Sequence, residues 1–327
     1  MRRSCLPCRR LAFFLLILSP AAHAADDART WLMKMNQAAH TLNYSGSFVY
    51  QHGDQLESMR IMRNVQGGLV RERLLSLNGA AREVIRTNQE VRCYLPDENT
   101  VVVEHRRAEA RSFPSLLPES LRNLDKNYAI ALGRTGRVVD RSAQEVTISP
   151  RDSYRYGYQL WADKESGLLL KANLVDDKGK VIEQFMFTSI EMGGTMPDSA
   201  FEPRDAAKGY VWYREDKENT VSTSASKEWQ VKRLPPGFTL SMHMTRMIPK
   251  HKTPVEHLVY SDGLAVVSVF VEKLDSDQAD TSDANEVMHI GAVHARGLNI
   301  GTHQVTVMGE VPIITVDMIG DSIAPMP

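Results

Sequence analysis

The chain lacks most of the compositional features that mark a specialised class of protein. Cysteine is scarce, with 3 among 327 residues, which excludes a disulfide-built scaffold. Neither sign of charge dominates, because 39 Lys and Arg oppose 40 Asp and Glu for a formal net charge of −1. A dedicated nucleic-acid binder carries a strong basic excess, so we do not expect nucleic acid as a partner. The length instead favours two globular domains.

Hydrophobic runs long enough to cross a membrane are also missing. The apolar run LAFFLLIL at 11–18 is shorter than the roughly 20 residues that a bilayer requires. Four arginines precede it, and Pro20 and the small-x-small sequence Ala22-His23-Ala24 follow it. This three-part pattern is typical of a secretory signal. We therefore expect residues 1–24 to direct export, with cleavage after Ala24 and no stable membrane insertion.

Removal of the signal changes the composition of the chain. Residues 1–24 contain four arginines and no acidic residue, so the net charge of the remaining 303 residues is −5. Residues 25–204 are balanced, and the acidic excess lies entirely in 205–327. Cys93 is the single remaining cysteine, which excludes an internal disulfide. Its neighbours read as a strand, and we expect the thiol to be buried.

The first part of the chain has the pattern of an antiparallel meander. A helix is expected from Asp26 or Asp27 to about Asn43, because apolar residues recur there at helical spacing. Alternating strands follow, and Asn78-Gly79 marks a hairpin. Short helices are expected within 114–127, around a proline. Strands are predicted before these helices at 83–87, 90–95 and 100–105, and the meander is predicted to resume after them with strands at 145–149, 155–162, 168–175 and 181–191.

The composition changes near Met192, and a polar stretch at 205–227 reads as a linker. Beyond it, 255–261 is expected to pair with 264–271, and 305–308 to form a further strand. Pro312 suits the first turn of a terminal helix. The predicted fold class is therefore mainly β (α+β), with a large curved antiparallel sheet and covering helices at 25–204. A smaller β-rich domain is expected at 228–327.

A search for catalytic and metal-binding motifs finds no convincing candidate. Metal-ligand spacings, a nucleophile elbow and phosphate-binding glycine loops are absent from the mature sequence. His289 and His294 are five apart in a strand-like segment, which predicts that they lie on opposite faces and are unrelated. We therefore expect no catalytic residues, no metal and no cofactor, and favour a binding protein over an enzyme.

Three groups of residues could instead support binding. Apolar and aromatic residues along the first-domain strands either fill a core or line a cavity for an acyl chain. A set of arginines either binds phosphate or forms a solvated sheet face interleaved with glutamates. Met242, Met244 and Met247 either adapt to a partner or fill a core. The arginines are Arg71, Arg73, Arg82, Arg86, Arg92, Arg106, Arg107 and Arg111.

Several segments, in order along the chain, resemble the RseB/MucB family of periplasmic regulators of the envelope-stress sigma factor. They include YSGSFVY at 44–50, RERL at 71–74, SPRDSYRYGY at 149–158, LPPGF at 234–238, YSDGLA at 260–265 and GEVP at 309–312. Each match is modest, but together they span nearly all of the mature chain.

The resemblance implies a periplasmic protein whose large domain is similar to the lipoprotein carriers LolA and LolB and forms a half-open barrel. Family members bind the periplasmic domain of an anti-sigma factor, RseA or MucA, and shield it from site-1 proteolysis. The resemblance also implies that lipopolysaccharide or another acyl-chain lipid releases the anti-sigma factor. Homo-oligomers also occur in the family. A lipid or lipoprotein carrier, which would deliver cargo instead, remains the alternative function, and a periplasmic hydrolase is a distant third.

Strand phase then provides candidate residues for both ligands. The candidates for contact with the partner are Tyr210, Trp212, Met242, Met244 and Tyr260. The candidates for contact with lipid are Phe48, Tyr50, Leu75, Leu95, Leu116, Leu117, Leu160, Phe185 and Phe187. Reorientation of the two domains about the linker would couple the two sites.

Overall fold

A computed structural model of the chain describes residues 21–105, 117, 124–204, 207–214, 220–221, 228–246, 254–274 and 287–326. None of the described helices combines the length and the apolar character needed to span a bilayer. Two large β-sheets, each with a helix against one face, account for most of these residues. The predicted mainly β fold, with a large sheet and a separate smaller one, is confirmed.

The larger sheet has twelve strands. In chain order they are β1 Tyr44–His52, β2 Gln55–Gln66, β3 Leu69–Ser76, β4 Glu83–Arg86, β5 Glu90–Leu95, β6 Thr100–His105, β7 Tyr128–Val138, β8 Arg141–Pro150, β9 Gly157–Asp163, β10 Leu169–Val175, β11 Val181–Met192 and β12 Val211–Arg214. Two 3-10 turns, Pro96–Glu98 and Asp198–Phe201, and a short helix α2, Leu124–Asn127, connect parts of this sheet.

Two meanders build the large sheet. Strands β1 to β6 follow one another in space as they do in sequence, and so do β7 to β11. The meanders join where β1 pairs with β11, placing Tyr44 beside Met192 and His52 beside Glu183. Consecutive antiparallel strands need only short turns, whereas the β1–β11 pairing connects distant parts of the sequence. β12 then adds to β6 in parallel, and this is the one departure from antiparallel pairing in the described sheets.

Helix α1, Ala21–Thr41, covers one face of the large sheet, which we call the inner face. Ala28, Leu32, Met35 and Ala38 are buried at spacings of three and four, as the helical pattern predicts. They pack in one cluster with sheet residues such as Val146 and Leu160. The helix begins before Asp26 and ends two residues before Asn43, so the predicted helix is confirmed with shifted ends.

The smaller sheet has seven strands in the order β13-β15-β16-β17-β20-β19-β18. Helix α3, Ile313–Gly320, covers one face, where Val316 and Ile319 pack against Val267 and Val305. A two-stranded sheet of β14 and β21 completes this part of the chain. The strands are β13 Thr220–Val221, β14 Trp229–Val231, β15 Thr239–Arg246, β16 Val255–Ser261, β17 Val266–Lys273, β18 Val287–Ile290, β19 Val293–Ile300, β20 His303–Glu310 and β21 Ile323–Pro325.

Most predicted strands are confirmed, and the differences have physical explanations. The hairpin at Asn78-Gly79 exists, but its loop has six residues, 77–82, because the Asn78 side chain bonds to Ser58 N and Leu56 O of β2. The predicted pairing of 255–261 with 264–271 is confirmed. β7 was not predicted. The segment read as a linker contains β12 and β13. Of the helices predicted within 114–127, only α2 and Leu117 lie inside the described residues.

Candidate functional site

An aromatic cluster occupies the inner face where β1 meets β11. The rings of Phe48, Phe185 and Phe187 pack edge to face, with centroids 5.1 to 6.0 Å apart. Leu117 and Leu160 belong to the same buried cluster, and Tyr50 packs against its border. The structure therefore brings together six of the nine residues that were predicted to contact lipid.

The other three predicted lipid contacts lie elsewhere. Leu75 pairs with Arg60 and Glu83 and lies on the face opposite the aromatic cluster. Its neighbour Leu74 lies on the inner face, in the same hydrophobic core as the aromatic cluster. Leu95 is half-buried near the end of β5 and is not part of the cluster. Leu116 lies outside the described residues. Because Leu74 and Leu75 are consecutive in β3, the sequence does not show which of them faces inward, and the prediction chose Leu75.

The predicted arginine set is largely engaged by carboxylates. Arg73 donates to Glu83 over 2.5 Å, and Arg63 and Arg86 both donate to Glu72. Ion pairs also join Arg71 to Asp198, Arg82 to Glu57 and Arg92 to Glu90. Because Glu72, Arg73 and Glu83 are buried, this part of the sheet is not simply a solvated face. Arg106, Arg107 and Arg111 lie outside the described residues.

Arg155 forms the centre of a polar contact between the two sheets. Its guanidinium donates to Asp262 Oδ2 and to Pro236 O (2.6 Å), both from the smaller-sheet part of the chain. On its own side it donates to Asp152 over 3.0 Å. The side chains of Arg155 and Asp262 are both fully buried. Such a pair is favourable only when its remaining hydrogen-bonding capacity is satisfied.

The surroundings of the Arg155–Asp262 pair supply those further contacts. Tyr128 donates from its hydroxyl to Asp262 Oδ2 over 2.9 Å, while the backbone N–H groups of Leu264 and Ala265 donate to Oδ1. The guanidinium also lies over the rings of Tyr128 and Phe238, 5.4 and 5.2 Å from their centroids. Burial, followed by the nearby Asp262 carboxylate, raises the pKa of Tyr128, so this phenol remains a donor.

Glu183 forms a second polar contact between the sheets. This buried β11 residue accepts from the Tyr50 hydroxyl on β1 and from the N–H of Ala292 (2.7 Å) in the β18–β19 turn. Burial and the Glu183 carboxylate raise the pKa of Tyr50, which keeps its proton available for this bond. Gly291 approaches so closely that an added Cβ would lie 2.5 Å from Glu183 Oε1 and 3.2 Å from the Cβ of His52.

His289 and His294 are related, contrary to the prediction that they lie on opposite faces. Gly291, at φ +57°, turns the chain between them, so they pair directly across β18 and β19 with ring centroids 6.0 Å apart. His294 Nδ1 lies 2.9 Å from Val311 O and 3.5 Å from the Tyr156 hydroxyl. Burial raises the pKa of Tyr156 to about 12. The residues that the structure describes contain no group of three metal-ligating side chains.

The predicted partner contacts fall into three environments. Tyr260 is buried in the core between the smaller sheet and α3, so it cannot contact a partner without unfolding; the prediction missed the core phase of β16. Met242 and Met244 pair with Val259 and His257, on the face away from α3. Trp212 is 40% exposed on β12 and packs edge to face on Tyr94, and Tyr210 packs near it. These last two thus dock on the large sheet.

Comparison with known proteins places this architecture in a family. The sequence profile of the MucB/RseB N-terminal domain matches residues 27–205, and that of the MucB/RseB C-terminal domain matches 223–324. The chain is 33% identical over 313 residues to the sigma factor AlgU regulatory protein MucB of Pseudomonas aeruginosa, covering 95% of this chain and 94% of the relative. It is 27% identical to the sigma-E factor regulatory protein RseB of Escherichia coli K12, covering 94% of each.

Solved structures agree with the sequence comparison. The complex structure of Pseudomonas aeruginosa MucA/MucB contains a chain that is 32% identical, with a TM-score of 0.72, covering 92% of this chain and 99% of that one. A structure of MucB alone is 31% identical, with a TM-score of 0.65 and coverage of 92% and 98%. The resemblance found in the sequence is therefore confirmed, and the chain belongs to the MucB/RseB family.

Proposed function

We propose that this chain is a periplasmic negative regulator of an envelope-stress sigma factor. It acts as a binding protein rather than an enzyme, holding the periplasmic domain of a MucA- or RseA-type anti-sigma factor and shielding it from site-1 proteolysis. The observation that carries the proposal is the match, along almost the whole chain, to a MucB whose structure is described as a complex with MucA. Export by residues 1–24, with cleavage after Ala24, is part of the same proposal.

We propose that the regulator has two working parts joined by the segment 205–227. The large part, 25–204, would sense lipopolysaccharide or another acyl-chain lipid at the inner face. Its contacts would come from Phe48, Tyr50, Leu117, Leu160, Phe185 and Phe187. The small part, 228–327, would contact the anti-sigma factor through Met242 and Met244 on the face away from α3. Tyr210 and Trp212, which dock on the large sheet, would add to that contact.

Strand β11 offers a physical connection between the two parts. It carries Phe185 and Phe187 in the aromatic cluster and, two residues before them, Glu183 in the contact with Ala292. Because a packed core shifts in discrete arrangements, a lipid that displaces these rings would also displace Glu183 and weaken the contact between the sheets. The coupling must be reciprocal: bound partner would weaken lipid binding by the same factor.

The direct test is calorimetric titration of the chain from Ala25 onward with the periplasmic domain of the same organism's MucA- or RseA-type protein. The titration is repeated with saturating lipopolysaccharide and with its deacylated head group as the matched control. We expect binding without lipid, weakened binding with the acylated form, and no change with the head group. Protection of the anti-sigma segment from the site-1 protease should follow the same order.

The outcomes separate the regulator from a carrier. Binding that is unaffected by saturating lipid would exclude the lipid switch while leaving the regulator in place. Absence of binding to the anti-sigma factor, together with retention of lipoproteins or lipid from a membrane extract, would replace the regulator with a carrier.

A further inference from the structure

Strand β18 forms a solvent-exposed edge of the smaller sheet. It pairs with β19 on one side and ends the order of the seven-stranded sheet, so within the described residues its outer row of backbone N–H and C=O groups pairs with no strand. All four of its residues are exposed. Ile290 is 70% exposed and Met288 is 53% exposed, although both side chains are strongly apolar.

The two faces beside β18 differ in chemistry. Across the sheet, Met288 pairs with Ala295, which pairs with Met308, and Ile290 pairs with Val293. These five residues form an apolar strip on one face, bordered by Glu310, which pairs with Val293. On the other face Val287 pairs with Arg296, which donates to Asp317 and Asp321 of the α3 region, and His289 pairs with His294. An added strand would therefore meet apolar side chains on one face and mostly polar ones on the other.

The other terminal strands of the two large sheets, β7, β12 and β13, are less suitable for adding a strand. Proteins usually protect exposed edges with charges, irregular pairing or short strands. β7 carries Arg134 and Arg137 and has an irregularity between Leu132 and Thr135. β13 has only two residues, and β12 carries the cation of Arg214 over Trp212. β18 contains no charged residue and no proline.

We propose that β18 is a strand-addition site for an extended segment of the anti-sigma factor with apolar side chains at alternate positions. The apolar side chains would pack beside Met288 and Ile290, while the backbone would pair with the free edge. This inference rests on the proposed function and assigns a surface to it. Ile290 directly precedes Gly291 and Ala292, which contact Glu183, so the added strand would lie next to the junction between the two sheets.

The test compares charged substitutions at the edge with an equivalent substitution elsewhere. Met288→Lys and Ile290→Lys place a cation on the apolar strip, and Leu69→Lys is the control because Leu69 is 67% exposed on the large sheet. We expect each edge variant to weaken binding of the purified periplasmic domain by about tenfold or more, and the control to bind as the parent does. Circular dichroism verifies that all variants fold.

Hydrogen exchange gives a second, independent measurement. In the parent complex the amides of 287–290 should exchange more slowly than in the free chain, and the Ile290→Lys variant should lose that protection. Unchanged affinity in both edge variants, or protection confined to other segments, would overturn the inference. So would a loss of self-association, seen by sedimentation, with partner affinity intact, because β18 would then pair with a second copy. Failure of the parent to bind the domain would instead count against the proposed function itself.

Discussion

Arg155 and Asp262 form an ion pair at the junction of the two sheets, and neither side chain is exposed to solvent. They are 107 residues apart in sequence, so the pair exists only when the two parts of the chain are docked. Removing two charges from water is costly, and the cost is offset here by Tyr128, Asp152, Pro236 and the N–H groups of the Asp262 loop. The two sheets are therefore joined by a specific polar contact in which the buried charges are paired and hydrogen-bonded.

Removing one partner of this pair should be strongly destabilising. Arg155→Met leaves the Asp262 carboxylate buried without its cation, which typically costs about 3–5 kcal/mol. The expected loss is measured by urea unfolding of the chain from Ala25. The double variant Arg155→Met/Asp262→Asn should recover part of the loss, because the uncompensated charge is gone.

The exposed pair of Arg137 and Asp140 provides the matched control. Both of its side chains are about three-quarters exposed, so Arg137→Met should change the free energy of unfolding by less than about 1 kcal/mol. If Arg155→Met were as mild as Arg137→Met, the buried pair would contribute nothing beyond an ordinary surface contact.

The second contact can be tested through glycine substitutions. Gly291 and Gly301 both have positive φ, +57° and +60°, in turns of the smaller sheet. An added Cβ meets Glu183 at 2.5 Å for Gly291 and nothing within 4 Å for Gly301. Gly291→Ala should therefore destabilise the protein more than Gly301→Ala, since both incur the backbone cost but only the first disturbs the contact between the sheets.

Hydrogen exchange of the Ala292 amide localises that effect. In Gly291→Ala the amide should exchange faster, because its bond to Glu183 is weakened, and in Gly301→Ala its rate should match the parent. Equal losses of stability and equal exchange rates in the two variants would show that Glu183 does not hold the β18–β19 turn.

The sequence predicted the elements whose signals are local. Turn residues separate the strands of each meander, and the helical spacing of Met35 and Ala38 places α1 on the sheet. β7 was not predicted because it contains small residues with low β-propensity, including Ala129, Ala131 and Gly133. It forms a strand because it pairs with β8. The join of β1 to β11 likewise has no local signature, although it determines how the two meanders form one sheet.

The candidate site was harder to predict, since its key contacts are non-local. Nothing around Arg155 or Asp262 in the sequence indicates that the other is its partner. The histidine pair was misjudged because Gly291 was not recognised as a turn between two strands, and Leu75 was chosen over Leu74 because both are leucines. The aromatic cluster was predictable because Phe185 and Phe187 are two residues apart on one strand and therefore lie on the same face of the sheet.

Cys93 gives a prediction about pH. The thiol is half-buried on β5, less buried than the sequence predicted, and this partial burial raises its pKa, although the positive charge of Arg82 opposes the shift. Since the thiolate is the reactive form, a raised pKa leaves less of it at a given pH. Alkylation by iodoacetamide should therefore reach its half-maximal rate at a higher pH in the folded chain from Ala25 than in denaturing urea. Cys93→Ser, which should not be labelled, is the control, and a lower midpoint in the folded chain would contradict the prediction.

Phe187 distinguishes a filled core from a ligand cavity at the inner face. The ring is almost fully buried between Phe48, Phe185 and Tyr44. If the inner face is tightly packed, Phe187→Ala should lower the free energy of unfolding by about 3–5 kcal/mol, as large-to-small core changes do. Phe270→Ala, in which the lost ring is only half-buried and stacks on His257, should cost less. A small loss for Phe187→Ala, combined with stabilisation of the parent by an acyl-chain lipid, would show instead that the ring lines a space which a ligand can enter.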